Sequence, residues 1–351
     1  MKFLYIFLQE LYFNFLGVIM NIMDEMISAA SGAVDFIFHP SADDKILILT
    51  DSYSSSIANA FRQAFVSKGC KIEIYEINNN ERPLTEIPQA LEKMLVGKTI
   101  VLNIIKAFPE EIAFRIKWIF KVKENKLAKL GHMPGINEEM MLNSVNIDFE
   151  EMKSTAGKII NILNGADRLH ITTEKGTDLL LGVKGRIFIE DIGVKPGEDC
   201  NLPCGEIYCA PLETEADGIV VFDASIGDIG VLNYPLKVYV SKGRITKFES
   251  DNIDLVKRIS VLQDVDMDAM VIGELGIGVN PGASITGNML EDEKSLGTAH
   301  VAFGNNADFT GGGNNHSKIH RDYLFHIPTI EAIFKDGSKK IVMKHGELYF
   351  K

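Results

Sequence analysis

The sequence predicts an α/β N-terminal domain, a parallel sheet with helices, followed by a β-rich α+β C-terminal domain that binds metal. Three observations predict this. "KILILT" and "KTIVLNII" are short continuous apolar runs, as in strands covered on both faces, and helical segments lie between them. Beyond about residue 165 the pattern changes to short alternating strands separated by Gly-containing turns. Residues 297–325, "GTAHVAFGNNADFTGGGNNHSKIHRDYLF", crowd His300, His316, His320, Asp308 and Asp322 among Gly and Asn runs that build neither a helix nor a long strand.

Taken in order, the opening "MKFLYIFLQELYFNFLGVIM" is interrupted by Gln9, Glu10 and Asn14, so it is a poor membrane span and a poor signal peptide. Residues 1–22 read as an extra helix or an over-extended start, and the cytoplasm is the expected compartment. "DKILILTDSYSSSIANAFRQAFVSKGCKIEIYEI" reads strand, turn, helix, strand, with Ser54–Ser56 offering N-caps and Gly69 ending the helix. The turn carries no G-x-G-x-x-G and no Walker motif, which weakens any nucleotide reading. The helix in "FEEMKSTAGKIINILNGAD" ends near Asn164-Gly165, which divides the chain into residues 1–165 and 166–351. Past it, "RLHITTEKGTDLLLGVKGR" and "LKVYVSKGRITKFES" alternate around Gly turns and predict antiparallel hairpins.

A chain of 351 residues suits two domains, and 46% hydrophobic with 24% charged residues suits a globular protein. The net charge of −12 argues against nucleic acid or an anionic membrane as partner and favours cations wherever the acids converge. Four cysteines are too few for a disulfide framework; Cys200, Cys204 and Cys209 lack zinc-knuckle spacing and read as buried thiols.

In "IHRDYL", His320 and Asp322 are two apart and share a strand face, where an imidazole and a carboxylate can grip one divalent cation. His300 reads either as a further ligand or as a satisfied core histidine. Glu206 and Glu274 sit in otherwise apolar runs, each after a Gly, and a buried carboxylate there is costly unless it is paired or binds metal. Together the five form a plausible binuclear set, because two divalent cations balance three carboxylates and a hydroxide. The run holding Asp292, Glu293 and Lys294 reads as a solvated loop, with Glu293 alternatively orienting His300. His316 and His326 read as bystanders.

At these residues the chain resembles the thermophilic-type metalloaminopeptidases, the aminopeptidase T family. The resemblance runs through "GHMPGINEEMM", "ITTEKGTDLLLGVKGR", "NLPCGEIYCAP", "GELGIGVNPG", "DEKSLGTAHVAFG" and "SKIHRDYL", from about residue 130 onward. It implies that Glu206, Glu274, His300, His320 and Asp322 bind two metals, and that the chain is a homodimer. It also implies a Tyr ligand seven residues after His300, where this chain has Ala307; Asp308 or Tyr323 are the candidates to replace it.

The function expected is a metal-dependent aminopeptidase acting on peptides through a metal-bound hydroxide, with Glu206 shuttling the proton and two Zn, Co or Mn ions as cofactors. The main competitor is a mononuclear Fe(II) ring-cleaving dioxygenase on the same fold, acting on a small molecule through His300, His320 and Asp322. A degenerate, non-catalytic binding protein is the third reading.

Overall fold

The structure, a computed structural model, describes residues 20–350. Most of the N-terminal segment read as an extra helix or an over-extended start, residues 1–19, lies outside them. The chain divides into two compact units: one runs to Phe149 and takes in Gly193–Pro203, the other comprises Glu150–Ile192 and the chain from Cys204 onward. No helix among the described residues is long and apolar enough to cross a membrane.

The first unit is the α/β one. Its five strands pair in the order Lys71–Ile77, Lys45–Asp51, Ile100–Ile104, Lys129–His132 and Asp199–Asn201, all parallel. The Lys45–Asp51 and Ile100–Ile104 strands are buried apart from Lys45, which is why they read as unbroken apolar runs. Trp118 and Phe114, from the helix Ile112–Glu124, fill the core on one side. The last strand comes from beyond residue 165: Asp199–Asn201 returns to extend the parallel sheet past Lys129–His132.

The turn after the first strand is capped differently from the expectation. Ser54 occupies the N-cap position of the helix Ser55–Ser67 but makes no capping bond with its side chain. Asp51 instead closes the turn that precedes the helix, accepting from the backbone N–H groups of Tyr53 and Ser54 at 3.0 Å each. Its other oxygen receives Arg82, which also pairs with the fully buried Glu111. Breaking such a buried network costs about 3–5 kcal/mol, since it strands a charge.

The second unit is built on two antiparallel sheets, of eight and seven strands. "EKGT" and "SKGR" form the expected hairpin turns; Gly176, Lys242 and Gly243 adopt positive φ there. The seven-stranded sheet has its strands in the order Gly230–Val231, Ser225–Ile226, His320–His326, Thr298–Gly304, Ile272–Gly278, Glu206–Cys209 and Ile189–Glu190. That sheet carries the candidate site.

Candidate metal centre

Register brings the five residues together. Gly276 lies opposite Tyr208 on one side and His300 on the other; Glu206 lies opposite Gly278. Ala302 lies opposite both Glu274 and Asp322, and Gly304 opposite His320. Residues directly opposite in a sheet project from the same face. Glu206, Glu274, His300, His320 and Asp322 therefore emerge on one face, although the chain separates the first from the last by more than a hundred positions. The middle of that face is bare backbone. A Cβ on Gly276 would stand 2.0 Å from the His300 ring, and one on Gly278 would stand 2.1 Å from the Ser295 carbonyl oxygen. Glycine is what lets the imidazole and the Lys294–Ser295 segment lie directly on the sheet.

The polar atoms form two groups that share one residue. Glu206, Glu274 and His300 offer one set of ligand atoms, and Glu274, His320 and Asp322 the other; within each set all atoms lie within 4.8 Å of one another. Glu274 Oε1 is 3.6 Å from His300 Nε2, and its Oε2 is 2.9 Å from His320 Nε2. His300 Nε2 is also 3.4 Å from Glu206 Oε2, and His320 Nε2 is 3.3 Å from Asp322 Oδ1. His320 Nδ1 lies 2.7 Å from the Asn305 carbonyl, to which it donates, so Nε2 is the ring nitrogen that faces the site. Glu206 Oε2 and His300 Nδ1 are buried without a hydrogen-bond partner. Unpaired buried polar atoms are costly, and a cation beside Glu206 Oε2 satisfies that oxygen.

The field of the acids governs the ionisation of the whole cluster. Burial alone would lower His300, but its hydrogen bond to Glu274 and the charges of Glu206, Glu274 and Asp322 push it up to about 9. Burial opposes the charged form of His320 as well, and Asp322 and Glu274 overcome it and raise it. Asp322, which burial would raise, is instead held down at about 2 by His320 and then His300. Glu274 is likewise lowered against its burial by hydrogen bonds from both imidazoles. Glu206 is the exception: burial outweighs Lys294 and raises it well above the carboxylate range.

Lys294 and Asp191 are the residues the sequence reading missed. The run at 291–294 reads as solvated, yet Glu291, Asp292 and Lys294 are all buried. Asp292 accepts from the backbone N–H groups of Thr286 and Gly287. Lys294 is fully buried; its Nζ contacts Glu206 Oε1 and lies 2.7 Å from Glu293 Oε1 and 3.2 Å from Asp191 Oδ2. Asp191 Oδ1 accepts from the N–H groups of Gly205 and Glu206 at 2.8 Å each, fixing the start of the Glu206 strand. Glu293 thus meets Lys294 directly.

Neither proposed replacement for the missing phenol joins the cluster. Tyr323 neighbours Asp322 on its strand, so it projects from the opposite face, where it is buried and donates its hydroxyl to Gln263 Oε1 at 2.7 Å. Asp308 is exposed in the turn after Ala307, where its carboxylate accepts from Asn305. The phenol that this face does carry is Tyr208. Its ring meets Phe309 edge-on at 5.5 Å, and Phe309 lies 5.6 Å from the His320 ring. His316 is exposed, His326 sits 3.4 Å from Asp223, and Cys200, Cys204 and Cys209 are buried free thiols.

A β-rich unit whose sheet gathers two imidazoles and three carboxylates on one face has the donor set of a metal-binding centre. The chain belongs to the thermophilic metalloprotease (M29) family, whose model matches residues 141–348. That membership makes it a metallopeptidase, with divalent metal as the implied cofactor class. No curated protein matches the chain. Solved structures share its fold, among them the two that follow. The 2,5-dihydroxypyridine dioxygenase from Pseudomonas putida KT2440 aligns over 93% of this chain and 97% of that one, with 16% identity and a TM-score of 0.71. AmpT from Thermus thermophilus aligns over 93% of this chain and 99% of that one, with 15% identity and a TM-score of 0.70. At these identities the likeness is one of fold.

Proposed function

We propose that this chain is an aminopeptidase that removes N-terminal residues from peptides, using two divalent cations held by Glu206, Glu274, His300, His320 and Asp322. One observation carries the reading: Glu274 turns one oxygen to each imidazole, the disposition of a carboxylate shared by two ions. Charge favours cations here: the carboxylates of Glu206, Glu274, Asp322, Asp191 and Glu293 outnumber the one ammonium among them, that of Lys294.

Cations of the zinc, cobalt or manganese kind, when bound, supply a water of lowered pKa and polarise the scissile carbonyl. The chain's own residues do the rest. Lys294 holds Glu206 by Oε1, so Oε2 is the one oxygen that Glu206 offers to the site. With Oε2 taken by a cation, Glu206 acts in this reading as a ligand, and its one other oxygen stays paired with Lys294. Asn305 holds His320 in the tautomer that leaves Nε2 free. The excess of carboxylates favours a substrate whose α-amine is free and protonated on arrival.

The competing reading, a single iron between His300, His320 and Asp322, needs those three around one point. Glu274 stands between the two imidazoles, and His300 groups with Glu206 instead. The test is hydrolysis of a peptide in free and N-acetylated forms by metal-loaded protein. Release of the first residue from the free form alone, abolished by a chelator and by His320→Ala, is the expected result. Folded, metal-loaded protein that releases nothing refutes the reading.

A further inference from the structure

Tyr208 stands on the ligand face of the sheet with its hydroxyl unused. It is two residues from Glu206 on the same strand, and so on the same side, and it lies opposite Gly276, whose other neighbour is His300. With no side chain on Gly276, nothing from that strand stands between the phenol and the imidazole in this row. The ring is fixed by the edge of Phe309, which in turn leans on His320. Tyr208 is half-buried, yet its hydroxyl makes no hydrogen bond with any described residue. A tyrosine packed this firmly usually places its hydroxyl on a partner.

We propose that the Tyr208 hydroxyl is a catalytic hydrogen-bond donor, aimed at the carbonyl oxygen that becomes an oxyanion when the peptide bond is attacked. The inference rests on the peptidase reading above. The other polar side chains named here are candidate ligands or belong to the Lys294 group, whose ammonium is already paired with carboxylates, which leaves Tyr208 as a neutral donor available to substrate. A donor so placed strengthens its bond as charge develops on the oxygen, and removing one such donor slows turnover by about 100-fold or more. No bond to Tyr208 forms or breaks, and its proton stays on the phenol.

Tyr208→Phe tests this, because it keeps the ring against Phe309 and removes only the hydroxyl. Three quantities are measured on wild type and variant loaded with the same divalent metal: metal content, turnover of a free peptide, and calorimetric affinity for the phosphonic acid analogue of leucine, whose tetrahedral anion mimics the oxyanion. The expected result is unchanged metal content, kcat lower by about 100-fold with KM little altered, and phosphonate binding weaker by about tenfold or more. Equal phosphonate affinity in the two proteins overturns the proposal. So does loss of metal in the variant, which would make Tyr208 a ligand or a prop, and so does a metal-loaded wild type that binds no phosphonate. If the wild type binds phosphonate through Tyr208 but releases no amino acid, the donor assignment stands and the peptidase reading falls.

Discussion

His300 lies against bare backbone: a Cβ on Gly276 would stand 2.0 Å from both Nε2 and Cε1 of the imidazole. The ring cannot keep its place beside Glu206 and Glu274 once any side chain occupies position 276. Gly276→Ala therefore displaces a ligand without touching one chemically. The expected effect is a fall in divalent-cation affinity of about 10- to 100-fold with the circular dichroism spectrum unaltered. Competition against a chelator measures it, and wild-type affinity in the variant would show that His300 is not a ligand.

The ionisation of the cluster ties metal uptake to pH. His300 in the metal-free chain sits at about 9, above the ordinary 6.5, so it carries a proton at neutral pH that a cation must displace. Affinity should climb about tenfold per pH unit for that proton as pH rises toward 9. Calorimetry in buffers of differing ionisation enthalpy counts the protons released, and none released at pH 7 contradicts the assignment.

The same shifts set the stability of the metal-free protein. The His300 pKa is raised on folding, so its contribution, on the order of 3 kcal/mol, is fully present below pH 6.5 and lost as pH rises through about 9. The pKa of Asp322 is lowered on folding, so its contribution is present above pH 3.8 and lost as pH falls through about 2. Denaturant unfolding of chelator-treated protein should show stability falling as pH rises from 6.5 toward 9 and falling again as pH drops from 3.8 toward 2. Stability that rises between pH 7 and 9 runs against it.

Lys294 is the internal cation that makes the acid cluster tolerable. Lys294→Met leaves Glu206, Glu293 and Asp191 facing one another in a buried place. The metal-free variant should lose about 3–5 kcal/mol of stability, much of it restored by added divalent cation. Urea unfolding with and without metal separates the two states. A variant as stable as wild type without metal would mean the three carboxylates are already neutral.

The parallel sheet and the hairpins were legible because each is a local pattern. Unbroken apolar runs mark the Lys45–Asp51 and Ile100–Ile104 strands, and Gly turns mark the two hairpins. The five residues of the candidate centre stood out as acids in apolar runs and histidines beside acids. Other features were harder to read. Tyr323 and Tyr208 look alike in the sequence, and only the two-residue period from Asp322 and from Glu206 puts one behind the sheet and the other on the ligand face. Lys294 hid inside a charge run. "GELGIG" did hold a readable signal: Glu274, Gly276 and Gly278 share a face, and a strand that alternates glycine on one side is clearing space for something. Ser54 holds the N-cap position as read, but its side chain makes no capping bond, and Asp51 closes the turn before it.

The central claim is that Glu274 is shared by two cations. Elemental analysis of protein purified without a metal-affinity tag, as wild type and as Glu274→Ala, tests it most directly. The account predicts two divalent ions per chain in the wild type and weakened retention of both in the variant. One iron per chain in the wild type, or a variant that keeps two ions as tightly as before, would contradict it.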